Sequence, residues 1–529
     1  IEAKQRVRAV NVPTVPGYDG EDQSAATLRT QAQRIGFPLL IKASAGGGGR
    51  GMRVVESLDG FNEALEAAKR EALAAFGDDA VLLERYLRDP RHIEFQILAD
   101  ARGTTLHFGE RECSIQRRHQ KIVEEAPSVA LTQELRAEMG AAAVRAAESV
   151  GYVNAGTAEF MLDRDGAFYF LEMNARLQVE HPVTELVYGI DLVQWQLRIA
   201  VGEPLTIEQD DVKPRGWAIE TRLYAEDPSN HMLPSTGTIA RWSPPEGPGI
   251  RVDAGVTSGS EVSHYYDPML AKLIAFGSDR AAAIARIEQA LRECRIDGVR
   301  TNLPLLLWIV RDDAFRAGET TTSFLDERLD ESIFAPSAPP REAVLLAAAA
   351  LLVDGRAPWR LGGAGIPLRL QHDHRVVELT ADALGTSGSW RLSGEYNGAL
   401  RVERRGELVA VDFDGTAISG AVSFFGNKFD AQLGGRTWNF SLASPPKIGA
   451  TGGHHAASDG ANVTAPMPGK IVKVAVRAGE PVGEHALLVV LEAMKMEHRI
   501  EASAGATVKS VLVKEGEIVT AGTPLVELS

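Results

Sequence analysis

"TAEFMLDRDGAFYFLEMNARLQVEHPVTE", residues 157–185, holds two β-rich runs on either side of the turn signal Asp163-Arg164-Asp165-Gly166. A hairpin of this kind brings Glu159 and Glu172 to one face. Two carboxylates and the amide oxygen of Asn174 suit Mg²⁺, which takes oxygen ligands and shares them with substrate phosphates. From Glu172 onward, Asn174, Arg176, Gln178 and Glu180 recur at every second position. A strand continuing through them would display all five on one face. The ordinary alternative is the wet side of a strand, but five successive polar positions of both charge signs favour a site.

Upstream, "IKASAGGGGRGMRVV" (41–55) reads as a strand followed by Gly46, Gly47, Gly48 and Gly49 and then Arg50-Gly51. Glycines let backbone N–H groups approach phosphate oxygens without a Cβ in the way, and Lys42 just before them is suited to phosphate pairing. The stretch lacks the Gly-Lys-Ser/Thr of a P-loop. "RHIEFQ" (91–96) and "ERECSIQRRHQKIVEEAP" (110–127) are dense in charge. Such runs are usually solvated faces. Unbroken alternation would put Gln116, Arg118 and Gln120 on one face and Arg117, His119 and Lys121 on the other, so one face could line a polyanion site.

At 529 residues the chain is long enough for three or four domains. A net charge of −15 argues against a general nucleic-acid binder. Cys113 and Cys294 are the only cysteines and lie far apart, which predicts free thiols in a reducing compartment. The most apolar run, "AVLLAAAALLV" (343–353), is too short to span a membrane and reads as a buried helix.

After Phe334 the texture changes to that helix and a series of short alternating strands, such as "RVVELTA" and "RTWNFSLA", which predict a small antiparallel barrel or sandwich. Residues 445–461 lie in a stretch rich in Gly, Ala, Ser and Pro without periodicity and read as a flexible linker. The last segment repeats itself at an offset of 37 residues: Val474 matches Val511, Gly479 matches Gly516 and Leu491 matches Leu528. Two copies of a strand–turn–strand unit predict a pseudo-symmetric all-β domain. "EAMKMEH" (492–498) falls between the copies, so Lys495 is expected on a hairpin tip between Met494 and Met496. A lone lysine there is ordinarily just solvated. Methionines exposed on a turn favour recognition by a partner surface.

"EAMKMEH", with "APMPG" (465–469) upstream, resembles the attachment site of biotin carrier domains, which implies biotin on Lys495. Lipoyl carriers share the fold and the repeat, but their pattern is typically Asp-Lys-Ala. Residues 1–333 resemble the ATP-grasp biotin carboxylase component of biotin-dependent carboxylases. The resemblance implies a multidomain chain: an α/β ATP-grasp biotin carboxylase, a small antiparallel β-barrel with a central helix, and an all-β biotinyl (lipoyl-like) domain. The expected divisions are 1–88 (remnant of an N-terminal subdomain plus the ATP-grasp lid), 89–333, 334–444 for subunit interaction, 445–461 as linker, and 462–529 as carrier.

Carried over residue by residue, the resemblance makes Lys42 and Gly46–Gly49 triphosphate contacts, and Glu84, Arg85 and Leu87 the adenine hinge. His92, Gln116 and His119 become further nucleotide contacts, and Lys121 falls between the terminal phosphate and bicarbonate. Glu159 and Glu172 resemble Mg²⁺ (or Mn²⁺) ligands with Asn174 close by. Arg176, Gln178 and the backbone of Val179 would hold bicarbonate, with Arg176 also counted among the catalytic groups. Glu180 resembles the general base, and Arg222 the arginine that stabilises the biotin enolate. The family normally begins with a Rossmann-like subdomain that is not in this sequence, which starts at Ile1 as if inside a helix; an N-terminally incomplete record of a longer chain is the expectation.

No region resembles a carboxyltransferase, so the resemblance implies a carboxyltransferase β subunit as partner, an acyl-CoA bound on that partner, and biotin protein ligase as the enzyme that loads Lys495. A hetero-oligomer is expected, with no nucleic acid and no membrane. The 3-methylcrotonyl-CoA type is favoured over the propionyl-, acetyl- and geranyl-CoA types. The expected compartment is the cytoplasm for a bacterial chain, which is favoured, and the mitochondrial matrix for a eukaryotic one. Two other readings are a non-catalytic carrier and scaffold subunit, and an unrelated ATP-grasp ligase fused to a lipoyl domain.

Overall fold

The structure, a computed structural model, describes residues 1–45, 52–335, 338–357 and 365–443, apart from 374, 386, 387, 407 and 435, and residues 462–529 apart from 495. Gly46–Gly49, the 445–461 linker and Lys495 therefore lie outside the described residues.

The N-terminal portion is a four-stranded antiparallel sheet in the order Gly17–Tyr18, Val81–Arg85, Leu39–Ala43, Met52–Val55. In the helix Phe61–Phe76, Phe61, Leu65, Ala68 and Ala72 recur at helical spacing, so one stripe is buried against Leu39, Ile41 and Val55 of the sheet. The helix Ala25–Ile35 starts at Ser24, whose hydroxyl accepts the backbone N–H of Thr27.

The centre is an eight-stranded sheet in the order Ile250–Ala254, Met269–Gly277, Trp217–Tyr224, Gln120–Ala126, Thr105–Arg117, Arg91–Ala99, Asn154–Leu162, Phe168–Asn174, every neighbour antiparallel. The helix Gln133–Glu148 buries its alanines against the end that holds Phe95 and Phe160. The helices Arg280–Glu293 and Leu303–Arg311 cover the Trp217–Tyr224 end. The opposite face, which carries the charged side chains, is covered in part by the helices His181–Tyr188 and Leu192–Ala200.

Eight strands from Ile366–His372 to Arg436–Leu442 close into a barrel around the helix Arg341–Val353. Every residue from Ala343 to Leu352 is buried, so this helix is apolar all round because it has no wet side. The closed barrel leaves no free strand edge.

The terminal domain consists of two four-stranded sheets. The strand Gly469–Val474 corresponds to Ala506–Val511, Pro481–Val482 to Ile518–Val519, and Leu487–Ala493 to Pro524–Leu528. Each sheet combines two strands of one copy with the short strand of the other. Gly479 and Gly516 occupy the same turn in both copies with φ of 86°, where a Cβ would be strained. The hairpin Leu487–Ala493/Met496–Glu501 turns at Met494, as the repeat implies. Met494 is buried in the same apolar cluster as Leu223, Met232 and Val262 of the central region, and its N–H donates to the His264 carbonyl at 3.1 Å.

No helix among the described residues is long and apolar enough to cross a membrane. Cys113 and Cys294 are buried free thiols.

Candidate active site

The charged face of the central sheet is assembled by strand register. Glu94 lies opposite Arg111, and Glu159 lies opposite both Glu94 and Glu172. Arg111 is wholly buried and donates to Glu94 (2.5 Å), Gln96 (2.7 Å), Thr157 (3.1 Å), Gln178 (3.0 Å) and Thr184 (3.0 Å). A buried guanidinium is tolerable only when its donors are satisfied this fully.

Lys121 is the hub. Its ammonium donates to Glu94 (2.5 Å), Glu180 (2.7 Å) and Glu159 (3.0 Å). The ladder pairs Gln116 with Lys121 but Ile115 with Val123, so Ile122 is an extra, unpaired residue. This bulge re-aims the strand and allows Lys121 and Glu124 to serve the same pocket. Burial disfavours the charged lysine, but Glu94, Glu180 and Glu159 outweigh it and hold its pKa well above the ordinary lysine range.

Glu180 is buried at the start of the helix His181–Tyr188 and receives Lys121 on one oxygen and Arg222 Nη2 on the other at 2.9 Å. Burial and Glu94 push its carboxyl up, but Lys121, Arg222 and Arg111 prevail and keep it below the usual carboxylate range. Arg222, on the strand Trp217–Tyr224, also donates through Nε to Glu124 at 2.6 Å.

Glu159 accepts from Lys121, from Gln178 (2.7 Å), from Asn174 (3.0 Å) and from His92 Nε2 (3.0 Å). Burial opposes its charge, but His92 and Lys121 hold its pKa far below the ordinary value. Asn174 also donates to Glu172 at 3.2 Å. Glu159 and Glu172 are the oxygen donors that fit Mg²⁺, whereas Asn174 turns its amide nitrogen to both of them and its Oδ1 to Arg176, so it supports the pair rather than adding an oxygen to it. His92, Glu94 and Glu159 form a second group close enough to share an ion.

Several expectations need correction. The strand that begins at Phe168 ends at Asn174, and residues 175–180 form an irregular turn. The five alternating polar residues therefore do not share one strand face: Gln178 and Glu180 are buried in the pocket, whereas Arg176 is exposed and reaches Asn174 Oδ1 at 3.4 Å. Arg118 and His119 both have positive φ and make the tip of a hairpin, so alternation breaks there. Gln116 and Lys121 are opposed partners and share a face, contrary to the simple alternation; His119 lies exposed on the tip. The Val179 carbonyl already accepts Lys272 Nζ at 2.6 Å.

A second cluster lies on the four-stranded sheet. Glu84 receives Lys42 at 3.2 Å and a closer contact from buried Lys4. Arg85 reaches Asp163 (3.3 Å) and the Tyr169 hydroxyl (3.1 Å), bridging the two sheets, and half-buried Leu87 follows on the connecting segment. No hydrogen bond or ion pair ties Lys42 to the Lys121 cluster among the described residues; the two clusters lie on separate sheets.

Sequence reasoning missed Lys4, Glu94, Arg111, Glu124 and Glu220. Glu94 was recoverable, because alternation in "HIEFQ" places it beside His92. The others depend on register across strands distant in sequence.

Comparison with known proteins agrees with this geometry. Residues 1–208 match the model of the carbamoyl-phosphate synthase L chain, ATP binding domain; 220–327 match the biotin carboxylase C-terminal domain; and 461–528 match the model described as biotin-requiring enzyme. The chain is 41% identical to the mitochondrial methylcrotonoyl-CoA carboxylase subunit alpha of Dictyostelium discoideum over 96% of this chain and 76% of that one. It is 38% identical to the propionyl-CoA carboxylase alpha chain of the bacterium Ruegeria pomeroyi over 98% and 81%. Among solved structures, the biotin carboxylase domain of Hydrogenobacter thermophilus 2-oxoglutarate carboxylase, in complex with MgADP, ADP and bicarbonate, superposes with a TM-score of 0.61 at 46% identity, covering 64% of this chain and 74% of that one. Sheet, pocket and matches converge: the chain belongs to the family of biotin-containing alpha subunits of biotin-dependent acyl-CoA carboxylases.

Proposed function

We propose that the Lys121 pocket uses ATP to activate bicarbonate and carboxylates biotin attached to Lys495. The observation that carries this reading is the Lys121–Glu180–Arg222 chain, in which one buried carboxylate is held between two cations that an incoming anion can draw away. In the resting site Glu180 is ionised and quiet. When Lys121 turns to phosphate and Arg222 to the ureido oxygen of biotin, Glu180 loses both counter-charges and becomes a stronger base. It then takes the bicarbonate proton. Lys42 and Lys121 spread the charge that builds on the terminal phosphate as the bicarbonate oxygen attacks it. ADP leaves, carboxyphosphate breaks down to CO₂ and phosphate, and biotin on Lys495 would supply the ureido nitrogen that takes up the CO₂, with phosphate to receive the N–H proton and Arg222 to stabilise the ureido oxygen. Glu159 and Glu172, beside Asn174, would hold Mg²⁺, which would supply charge neutralisation for the phosphates. Glu84, Arg85, Leu87, His92, Gln116 and His119 are assigned to the nucleotide, with the Gly46–Gly49 loop over the triphosphate, and Arg176, Gln178 and Val179 to bicarbonate.

The same reading assigns residues 1–88 to a segment of the N-terminal subdomain and the ATP-grasp lid, 89–333 to the carboxylase body, 334–444 to holding a carboxyltransferase β subunit, 445–461 to a tether and 462–529 to the carrier, loaded by a biotin protein ligase. The favoured final acceptor is 3-methylcrotonyl-CoA, supported by the methylcrotonoyl-CoA carboxylase subunits among the relatives; the propionyl-CoA type is the second reading, supported by relatives of that name. The buried free thiols support a reducing compartment, for which the bacterial cytoplasm is favoured. The test is ATP-dependent incorporation of labelled bicarbonate by the complex recovered on avidin, across a panel of acyl-CoAs. Incorporation into the 3-methylcrotonyl ester is expected. Incorporation into another ester reassigns the acceptor, and none into any ester, with biotin present, rejects an acyl-CoA partner.

A further inference from the structure

Behind Arg222 lies a pair of carboxyl groups that the reaction above does not use. Glu220 precedes Arg222 by two positions on the same strand and so shares its face. Across the ladder it sits directly opposite Glu124, which receives Arg222 Nε at 2.6 Å. Directly opposed side chains on neighbouring strands are close enough to interact, and like charges so placed repel. Glu124 and Glu220 are both completely buried. Both oxygens of Glu220 and Oε2 of Glu124 have no hydrogen-bond partner.

The charged groups around them do not fill this gap. Arg222 is committed to Glu124 Oε1 and Glu180. Lys272, on the neighbouring strand Met269–Gly277, is held by the Val179 carbonyl and Asp253. On the helix His181–Tyr188, Glu185 is bonded by Arg251 and His181 by the Gln178 carbonyl. Three buried acceptor oxygens on two directly opposed residues therefore have no donor. Leaving even one buried polar group unsatisfied is costly, and two adjacent buried carboxylates cannot both stay ionised. One proton resolves both difficulties at once.

We propose that Glu220 is a positioning residue: as the neutral acid it donates its O–H to the free oxygen of Glu124, and so fixes the carboxylate that aims Arg222 at the biotin ureido oxygen. The inference rests on the role given to Arg222 above. Burial and the neighbouring Glu124 push the Glu220 carboxyl well above the usual range, with Lys272 and Arg222 opposing; burial likewise carries Glu124 up to about 7, with Arg222 opposing. The pair carries a single negative charge. When Arg222 Nη2 leaves Glu180 for substrate, its Nε stays on Glu124, and the shared proton keeps the other Glu124 oxygen satisfied.

The sign of the pH effect follows. The competent form is protonated, so biotin carboxylation falls as pH rises through the titration of the pair. The test compares Glu220→Gln and Glu220→Leu in the full biotinylated chain, measuring ATP- and bicarbonate-dependent carboxylation of free biotin against pH. Glu220→Gln, a permanent neutral donor, is expected to rescue turnover and to lose the alkaline decline. Glu220→Leu is expected to lower kcat about tenfold, with KM for ATP unchanged, because Glu124 loses its donor. If Glu220→Leu cannot be purified folded, difference infrared spectroscopy decides: a protonated-carboxyl band present in the wild type should vanish in Glu220→Gln. An alkaline limb shared by wild type and Glu220→Gln, or no such band, overturns the proposal. An Arg222→Ala variant made alongside keeps the two ideas apart: if it loses biotin carboxylation while both Glu220 variants behave as wild type, the role of Arg222 stands and that of Glu220 falls. If Arg222→Ala is itself unimpaired, the underlying reading fails.

Discussion

At the scale of the residue, Glu180 is defined by its neighbours more than by its own chemistry. Lys121 and Arg222 hold it ionised, and a neutral amide in its place can take no proton. Glu180→Gln should therefore lower bicarbonate-dependent ATP cleavage by roughly 10²–10⁴-fold. Steady-state phosphate release checks this, and an unchanged rate would move the base elsewhere. Glu226 shows the opposite environment. Burial raises its carboxyl to about 7, against the pull of Arg117, and its Oε1 has no partner. A carboxyl raised on folding contributes stability below its unfolded pKa that is lost as pH rises through the folded value. Glu226→Gln is thus expected to be the more stable protein at pH 8, by up to about 3 kcal/mol, with the advantage gone near pH 4. Chemical denaturation at both pH values measures it; equal differences would contradict this.

At the scale of the element, residues 157–174 were legible because a hairpin writes its own pattern: β-rich run, turn, β-rich run. The pattern said nothing about where the second strand stops. Beyond Asn174 the alternation of polar residues continues while the backbone turns into the helix that Glu180 begins, so periodicity alone extended the strand too far. The hairpin at Arg118 and His119 was misread for a related reason. Its two turn residues take positive φ, which no local apolar pattern announces. Buried Arg111, Glu124 and Glu220 were least legible, since each gains its meaning from a strand many residues away. The barrel helix was plain, because ten consecutive small or apolar residues fit only a place with no solvent. Leu346 in that helix packs so close to the Gly420 strand that a Cβ added at Gly420 would stand 2.4 Å from its Cδ2. Leu346→Ala should leave a cavity and cost about 2–5 kcal/mol; a thermal transition of the barrel unmoved by this change would show that the packing is not tight.

At the scale of the whole molecule, the repeat, the linker and the methionine-flanked lysine together announce a carrier that must reach the carboxylase. Met494, beside that lysine, is buried in the apolar cluster of the central region and bonded through its N–H to His264. Met494→Asp would place a charge in that contact. Carboxylation of the chain's own biotin should fall by about tenfold or more, given the cost of burying an unpaired charge, while ATP cleavage driven by free biotin persists. Equal loss of both would mean that the variant damages the site itself.

The most direct measurement is ATP-dependent retention of labelled bicarbonate on the intact biotinylated chain, compared with Lys495→Arg. The account predicts an acid-labile label on the wild type and none on Lys495→Arg, which still cleaves ATP when free biotin is supplied. Label retained by Lys495→Arg, or none on a wild-type chain that carries biotin, would contradict it.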